Sequence, residues 1–215
     1  MTLTLALETS AANYGVLLGG VGVLVQVARR HDSASFAGVG DLVESLLREA
    51  GAQFADIGMI AVDIGPGYGS VRAGVSYANG LSFSLQRQLF VADSLRLLAL
   101  EVCGAGVGEV LCVRNAGSGV VCAGLFRDGA PVAMRSGLLR PVVSALVGTL
   151  PEIAVAGELR EQVTAVLADV KVHDTGLAAP HASTLYNLAA AAHPEDPGFV
   201  TVASPLNESS QVFSD

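Results

Sequence analysis

Residues Ile57–Leu85 constrain the fold of this chain more than any other stretch. Ile57–Ile64 is a short, nearly continuous apolar run of the kind that forms a buried strand. Gly65-Pro-Gly-Tyr-Gly69 then makes a sharp turn, and Ser70–Leu85 reads as a helix. A buried strand leading through a glycine turn into a helix belongs to an α/β architecture. The helix itself is unusual, because Gly69, Ala73 and Gly80 are small, as are Ser70, Gly74 and Ala78 at four-residue spacing. Glycine costs a helix interior about 1 kcal/mol relative to alanine. Gly74 and Gly80 therefore need a compensating reason, which is close approach of the protein's own sheet or of a partner's helix.

The same turn fails each familiar phosphate motif on a named residue. A G-x-x-x-x-G-K-[ST] loop needs a lysine, and the only lysine in the chain is Lys171. G-x-G-x-x-G would require glycine where Ser70 or Arg72 stands, and a G-x-S-x-G nucleophile elbow is absent. An anion at the helix N-terminus remains open on backbone grounds alone.

The element order extends this α/β reading. Thr2–Glu8 alternates Leu3, Leu5 and Leu7 on one face, and Asn13–Leu18 and Val21–Ala28 follow as strands with Gly19-Gly20 as the expected hairpin. A helix fits Ser33–Ala50, with Asp32 or Ser33 as cap and Gly51 as stop. Leu89–Ala92 is a strand and Ser94–Cys103 a helix. After Gly104–Gly108 the order starts again. Strands are expected at Glu109–Arg114, Val120–Phe126 and Pro131–Arg135, with a turn at Asp128-Gly129. A helix at Pro141–Thr149, a strand at Ile153–Ala156 and a helix at Glu158–Ala168 follow. A strand beginning at Lys171 and a helix at Ser183–His193 close the series. Two βββαβαβα lobes, expected at 1–103 and 104–215, form the arrangement of the actin-like ATPase (ASKHA, RNase H-like) fold.

Composition narrows the partners. The 215 residues are 51% hydrophobic and 15% charged, with mean hydropathy +0.53. So apolar a chain has a large core or a surface covered by another protein. The most apolar stretch, Tyr14–Val25, is too short to cross a bilayer and is split by glycines. The opening residues lack a basic flank and do not read as a signal peptide. Net charge is −8, with 12 basic against 20 acidic residues, which argues against tight direct nucleic-acid binding. Cys103, Cys112 and Cys122 read as reduced thiols of a cytoplasmic protein, although Cys112 and Cys122 lie symmetrically about Gly117.

Two motifs carry a family resemblance. Leu5-Ala-Leu-Glu-Thr-Ser10 resembles an opening strand L-A-[IL]-[DE]-T-[AS]. Gly65-Pro-Gly-Tyr-Gly-Ser-Val-Arg-Ala-Gly74 with Ala78-Asn-Gly-Leu81 resembles G-P-G-S-F-T-G-[LV]-R-x-G followed by A-x-G-L. Together they resemble the TsaB (YeaZ) family over about the first 95 residues. That family is the non-catalytic partner of TsaD, and the pair helps install threonylcarbamoyladenosine next to the anticodon of tRNAs. The resemblance implies docking on a TsaD-like catalytic subunit as a heterodimer and a TsaE-like ATPase in a larger complex; whether the chain alone is a homodimer stays open. It implies a contact through the two helices Ser33–Ala50 and Ser70–Leu85. The residues expected there are Phe36, Val39, Val43, Leu46, Tyr68, Val71, Arg72, Gly74, Val75 and Ala78. The chain departs from the family where Arg114-Asn-Ala-Gly-Ser-Gly119 replaces D-A-R, and where the tail at Ser204-Pro-Leu-Asn207 lacks a tyrosine and an arginine.

Chemistry of the chain's own is not expected. His31, His173, His181 and His193 include no pair four apart, so an H-x-x-x-H metal motif is missing. Glu8 stands where a first-lobe acid could serve a nucleotide, but Gly117–Gly119 has no aspartate before it. The reading is therefore no catalytic residue, no metal and no cofactor. Two rivals remain: a small actin-like kinase or transferase with Glu8, Ser10 and the Gly65 loop around a nucleotide, and a homodimeric structural protein.

Overall fold

A computed structural model of the chain describes residues 2–11, 13–30, 38–67, 70–193 and 195–206. It falls into two compact units. The first comprises Met1–Ile64, Gly69–Ala92 and His181–Pro205; the second comprises Gly65–Tyr68, Asp93–Pro180 and Leu206–Asp215.

The first unit is a six-stranded sheet with helices on both faces. Strands β1 (Leu3–Glu8), β2 (Asn13–Gly20) and β3 (Val23–Arg30) form an antiparallel meander. Strands β4 (Ile57–Asp63) and β5 (Gln88–Ala92) add in parallel beside β1. Helices α1 (Val39–Glu49) and α2 (Ser70–Leu85) bury Leu42, Val43, Leu46, Val71, Val75 and Ala78 in one core with Leu3, Leu5 and Ile60. Gly51, with φ +62, ends α1: its N–H donates to Arg48 O and that of Ala52 to Leu47 O, a Schellman arrangement. The part of the expected first helix at 33–37, with its candidate caps Asp32 and Ser33, lies outside the described residues.

The expected hairpin at Gly19-Gly20 is displaced. Both glycines lie inside β2, and the turn is Val21-Gly22, where Gly22 has φ +77. The reason is packing. A Cβ at Gly19 would stand 2.6 Å from the ring of Tyr186, and one at Gly20 would stand 2.7 Å from Leu3.

The second unit repeats the element order. Strands β6 (Glu109–Gly117), β7 (Val120–Arg127) and β8 (Ala130–Gly137) form its meander. Strands β9 (Glu152–Ala156) and β10 (Lys171–Asp174) run parallel to β6. Helices α4 (Leu139–Val147) and α5 (Arg160–Val166) cover one face, and α3 (Ser94–Gly104) the other. Asp128-Gly129, both at positive φ, makes the β7–β8 turn as expected. Cys112 lies opposite Gly124 and Cys122 opposite Arg114, so the two thiols do not face each other, and none of the three cysteines forms a disulfide.

The units do not part at the expected 103/104 boundary. Helix α3 belongs to the second unit, because Leu95, Leu98 and Val102 pack on Val110 and Phe126. Helix α6 (Ala182–Ala191) belongs to the first, packing on β1 and β2 with Ala182 against Gly15. A short strand not foreseen in the sequence, β11 (Phe199–Val200), then pairs antiparallel with β5.

Candidate functional site

The two helices singled out by sequence bury most of the residues expected to touch a partner. Val39, Val43, Leu46, Val71, Gly74, Val75 and Ala78 all lie in the first unit's own core. Their periodicity is that of a face packed on a sheet, so they support the helices from beneath and do not form the outer surface. Arg72 is exposed, while Phe36 and Tyr68 lie outside the described residues. The outer surface is made by other side chains. Helix α1 exposes Asp41, Glu44, Arg48 and Glu49, and α2 exposes Arg72, Ser76, Gly80, Phe83 and Ser84. Phe83 is 79% exposed. Between the helices, the Tyr77 ring lies over Gly40, 3.4 Å from where its Cβ would stand. Burial, reinforced by the neighbouring Glu44 carboxylate, raises the Tyr77 hydroxyl above its ordinary pKa.

The two helical glycines separate cleanly. A Cβ at Gly74 would fall 2.1 Å from Thr9 Oγ1, so this glycine lets β1 approach the helix. A Cβ at Gly80 would meet nothing within 4 Å among the described residues. Gly80 thus carries the helix cost of glycine with no packing reason inside its own unit.

A buried polar group closes the C-terminal ends of β1 and β4, the edge at which open α/β sheets bind ligands. Glu8, Thr9, Ser10 and Asp63 are all buried there. Ser10 donates to Glu8 Oε1 through both its backbone N–H (2.8 Å) and its hydroxyl (2.5 Å). This carboxylate oxygen is therefore engaged by its own loop. Thr9 Oγ1 is buried with no hydrogen-bond partner among the described residues.

The corresponding edge of the second unit has the opposite charge at the end of β6. Arg114 is fully buried, with Nε 2.5 Å from Glu158 Oε2, and the Asn115 N–H donates to Glu158 Oε1 at 2.7 Å. Gly157, with φ +109, sits so close to β6 that a Cβ would be 2.0 Å from Val113 O. Burial pushes the Cys112 thiol well above its ordinary pKa, aided by Cys103 and Asp93, which leaves it a poor nucleophile. A cavity of about 630 Å³ lies at the opposite edge, between Glu109, Arg127, Glu152 and His173. Its basic groups are already paired, Arg127 with Glu109 and His173 with Glu152. Among the described residues no cluster of histidine, cysteine or acidic side chains could hold a metal ion. No described helix is long and apolar enough to cross a membrane.

The family model for TsaD, tRNA N6-adenosine threonylcarbamoyltransferase, matches residues 9–133, more than half of the chain. The chain belongs to the TsaD family. No curated protein sequence matches it. Among solved structures, this TsaD-family chain is similar to a Pseudomonas aeruginosa protein described as resembling peptidase YeaZ. The TM-score is 0.77 at 23% identity, covering 96% of this chain and 99% of that one. It is also similar to YeaZ from Pseudomonas aeruginosa, with TM-score 0.72 at 24% identity, covering 88% and 91%. Likeness at that identity gives the fold: the chain has the YeaZ (TsaB) fold, an α/β fold of the actin-like ATPase type. The resemblance read from Leu5–Ser10 and Gly65–Leu81 thus holds for family and fold.

Of the exposed residues of α2, sequence reasoning named only Arg72 as a partner contact, because it followed the apolar residues. The signal that would have found the rest is the polar-and-small series Arg72, Ser76, Gly80 and Ser84, one residue per helical turn. Nothing local in sequence marks the Arg114–Glu158 pair, whose members are 44 positions apart.

Proposed function

We propose that this TsaD-family chain is a TsaB-type subunit that performs no chemistry itself. It docks through the outer face of α1 and α2 onto a TsaD-type catalytic subunit in the cytoplasm. In that role it supports threonylcarbamoylation of the adenosine next to the anticodon, within an assembly that includes a TsaE-type ATPase. The observation that carries this reading is the family match over 9–133, a stretch that includes both helices. Gly80 adds to it, since a glycine open to solvent in mid-helix suits a surface against which a second helix packs closely. The chemistry of the chain agrees. It has no paired histidines at helical spacing and only one lysine, and the Glu8 carboxylate is turned onto its own loop.

The test is co-purification of the untagged TsaD-family enzyme of the same organism with this chain, followed by size analysis of the pair. A one-to-one complex is expected, and Gly80→Arg is expected to abolish it without lowering the melting temperature. A homodimer that persists in the presence of that enzyme would overturn docking in favour of a structural protein. Micromolar binding of ATP with magnesium to the isolated chain, read by titration calorimetry, would favour a small nucleotide-dependent transferase instead.

A further inference from the structure

Helix α2 is held from the side by a segment that follows it by more than a hundred residues. Asn79 Nδ2 donates to Ala203 O at 2.9 Å, and Asn79 Oδ1 accepts from the Ala203 N–H at 2.8 Å. One side-chain amide thereby satisfies both backbone groups of Ala203, as a neighbouring strand would. Ala203 is itself buried in the first unit's core. Just upstream, Gly198 O accepts from the Val91 N–H at 2.7 Å, and β11 pairs Phe199 with Phe90 and Val200 with Leu89. Phe199 also meets Phe90 edge to face, with ring centroids 5.3 Å apart. Gly198 is glycine for room, since a Cβ there would lie 2.3 Å from the Phe90 ring. Residues 198–203 thus grip β5 at one end and α2 at the other.

The grip on α2 falls next to the glycine that matters for docking. Asn79 directly precedes Gly80, so the hydrogen bonds to Ala203 hold α2 one position from the glycine of the Ser76–Gly80–Ser84 series. We propose that residues 198–203 form a strap that fixes the position of α2 for docking, with Asn79 as the positioning residue. The inference rests on the docking reading above. Without the amide, the buried N–H and C=O of Ala203 lose their partners and the strap lets go. The outer face of α2 then loses its fixed position, and a surface that must match a partner closely binds less well.

The test compares Asn79→Ala and Asn79→Asp with the unchanged chain by amide hydrogen exchange and by affinity for the TsaD-family enzyme. Asn79→Ala is expected to speed exchange in 75–85 about tenfold and to weaken binding about tenfold, with exchange in β6 and β7 unchanged. Asn79→Asp keeps the acceptor for the Ala203 N–H and is expected to recover part of both effects. A merely structural Asn79 would lower the melting temperature while folded protein bound normally, and that result overturns the strap. Unchanged exchange in α2 overturns it equally. Should Asn79→Ala fail to fold, Asn79→Asp carries the same two readouts. If the unchanged chain does not bind the enzyme, the docking reading falls, and the exchange comparison still decides whether the strap holds α2.

Discussion

Replacing each glycine of α2 by alanine makes two substitutions of identical chemistry with opposite expected signs. Both gain the helix preference of alanine, about 1 kcal/mol. At Gly80 the new methyl enters space with no atom within 4 Å, so nothing opposes the gain. Gly80→Ala is therefore expected to stabilise the first unit by about 0.5–1 kcal/mol, a rise of roughly 1–4 °C in melting temperature for a chain of this size. At Gly74 the methyl would stand 2.1 Å from Thr9 Oγ1, 2.9 Å from its Cγ2 and 3.0 Å from its Cβ. Thr9 is only 1% exposed and sits at the end of β1, so it cannot swing away. Forcing atoms into a packed core costs about 1–3 kcal/mol, more than the helix returns. Gly74→Ala is expected to destabilise by up to about 2 kcal/mol net. Adding Thr9→Ala removes the two nearest atoms, and the pair should show a favourable coupling of about 1 kcal/mol. Urea unfolding of the four proteins, followed by circular dichroism, measures each term. If Gly74→Ala stabilises the chain as Gly80→Ala does, the assignment of one glycine to the sheet and the other to the surface is wrong.

Other outcomes follow from single contacts. Thr9→Val removes a buried hydroxyl without a partner and keeps its shape, so unfolding should show no loss of stability. Asp93 caps α3 by accepting from the Arg96 N–H, but burial, the largest influence, raises its carboxyl above the ordinary pKa against the opposing hydrogen bonds and Arg96. A raised carboxyl pKa in the folded state means that stability is lost as pH climbs through and above the ordinary carboxylate range. Asp93→Asn keeps a good cap and should gain on the unchanged chain from about pH 3 to about pH 7, as read by denaturant midpoints. Glu158→Ala leaves the Arg114 guanidinium buried without this carboxylate and should destabilise the second unit by about 3 kcal/mol; Arg114→Met with Glu158→Leu should recover most of that.

Much of the architecture was legible in the sequence, for a local reason. Helix α2 begins and ends where expected, because a glycine turn opens it and its apolar period is unbroken from Val71 to Leu85. The meanders were equally readable, since alternation in Leu3–Leu7 and the Asp128-Gly129 turn are short-range signals. The errors came where a distant segment decides the outcome. Gly19 and Gly20 look like a hairpin but are strand residues, because Tyr186 of α6 and Leu3 of β1 occupy the space their side chains would need. Strand β11 is two residues long and exists through its pairing with β5. Seven of the ten expected partner contacts are core residues, because apolar periodicity reports the face a helix buries in its own fold and says nothing of its polar face.

The membership of α6 and β11 in the first unit has a consequence for how the protein is made. A ribosome releases Leu3–Ala92 early, yet that sheet waits for His181–Pro205 to cover Gly15 and Gly19 and to pair with β5. The continuous stretch Asp93–Pro180 is complete before those last residues emerge. Contacts between distant parts of a chain form slowly, and a half-covered sheet is exposed to aggregation while it waits. The half of the molecule whose sheet is synthesised first therefore waits on residues made more than a hundred positions later, and a stop codon before His181 damages the N-terminal unit.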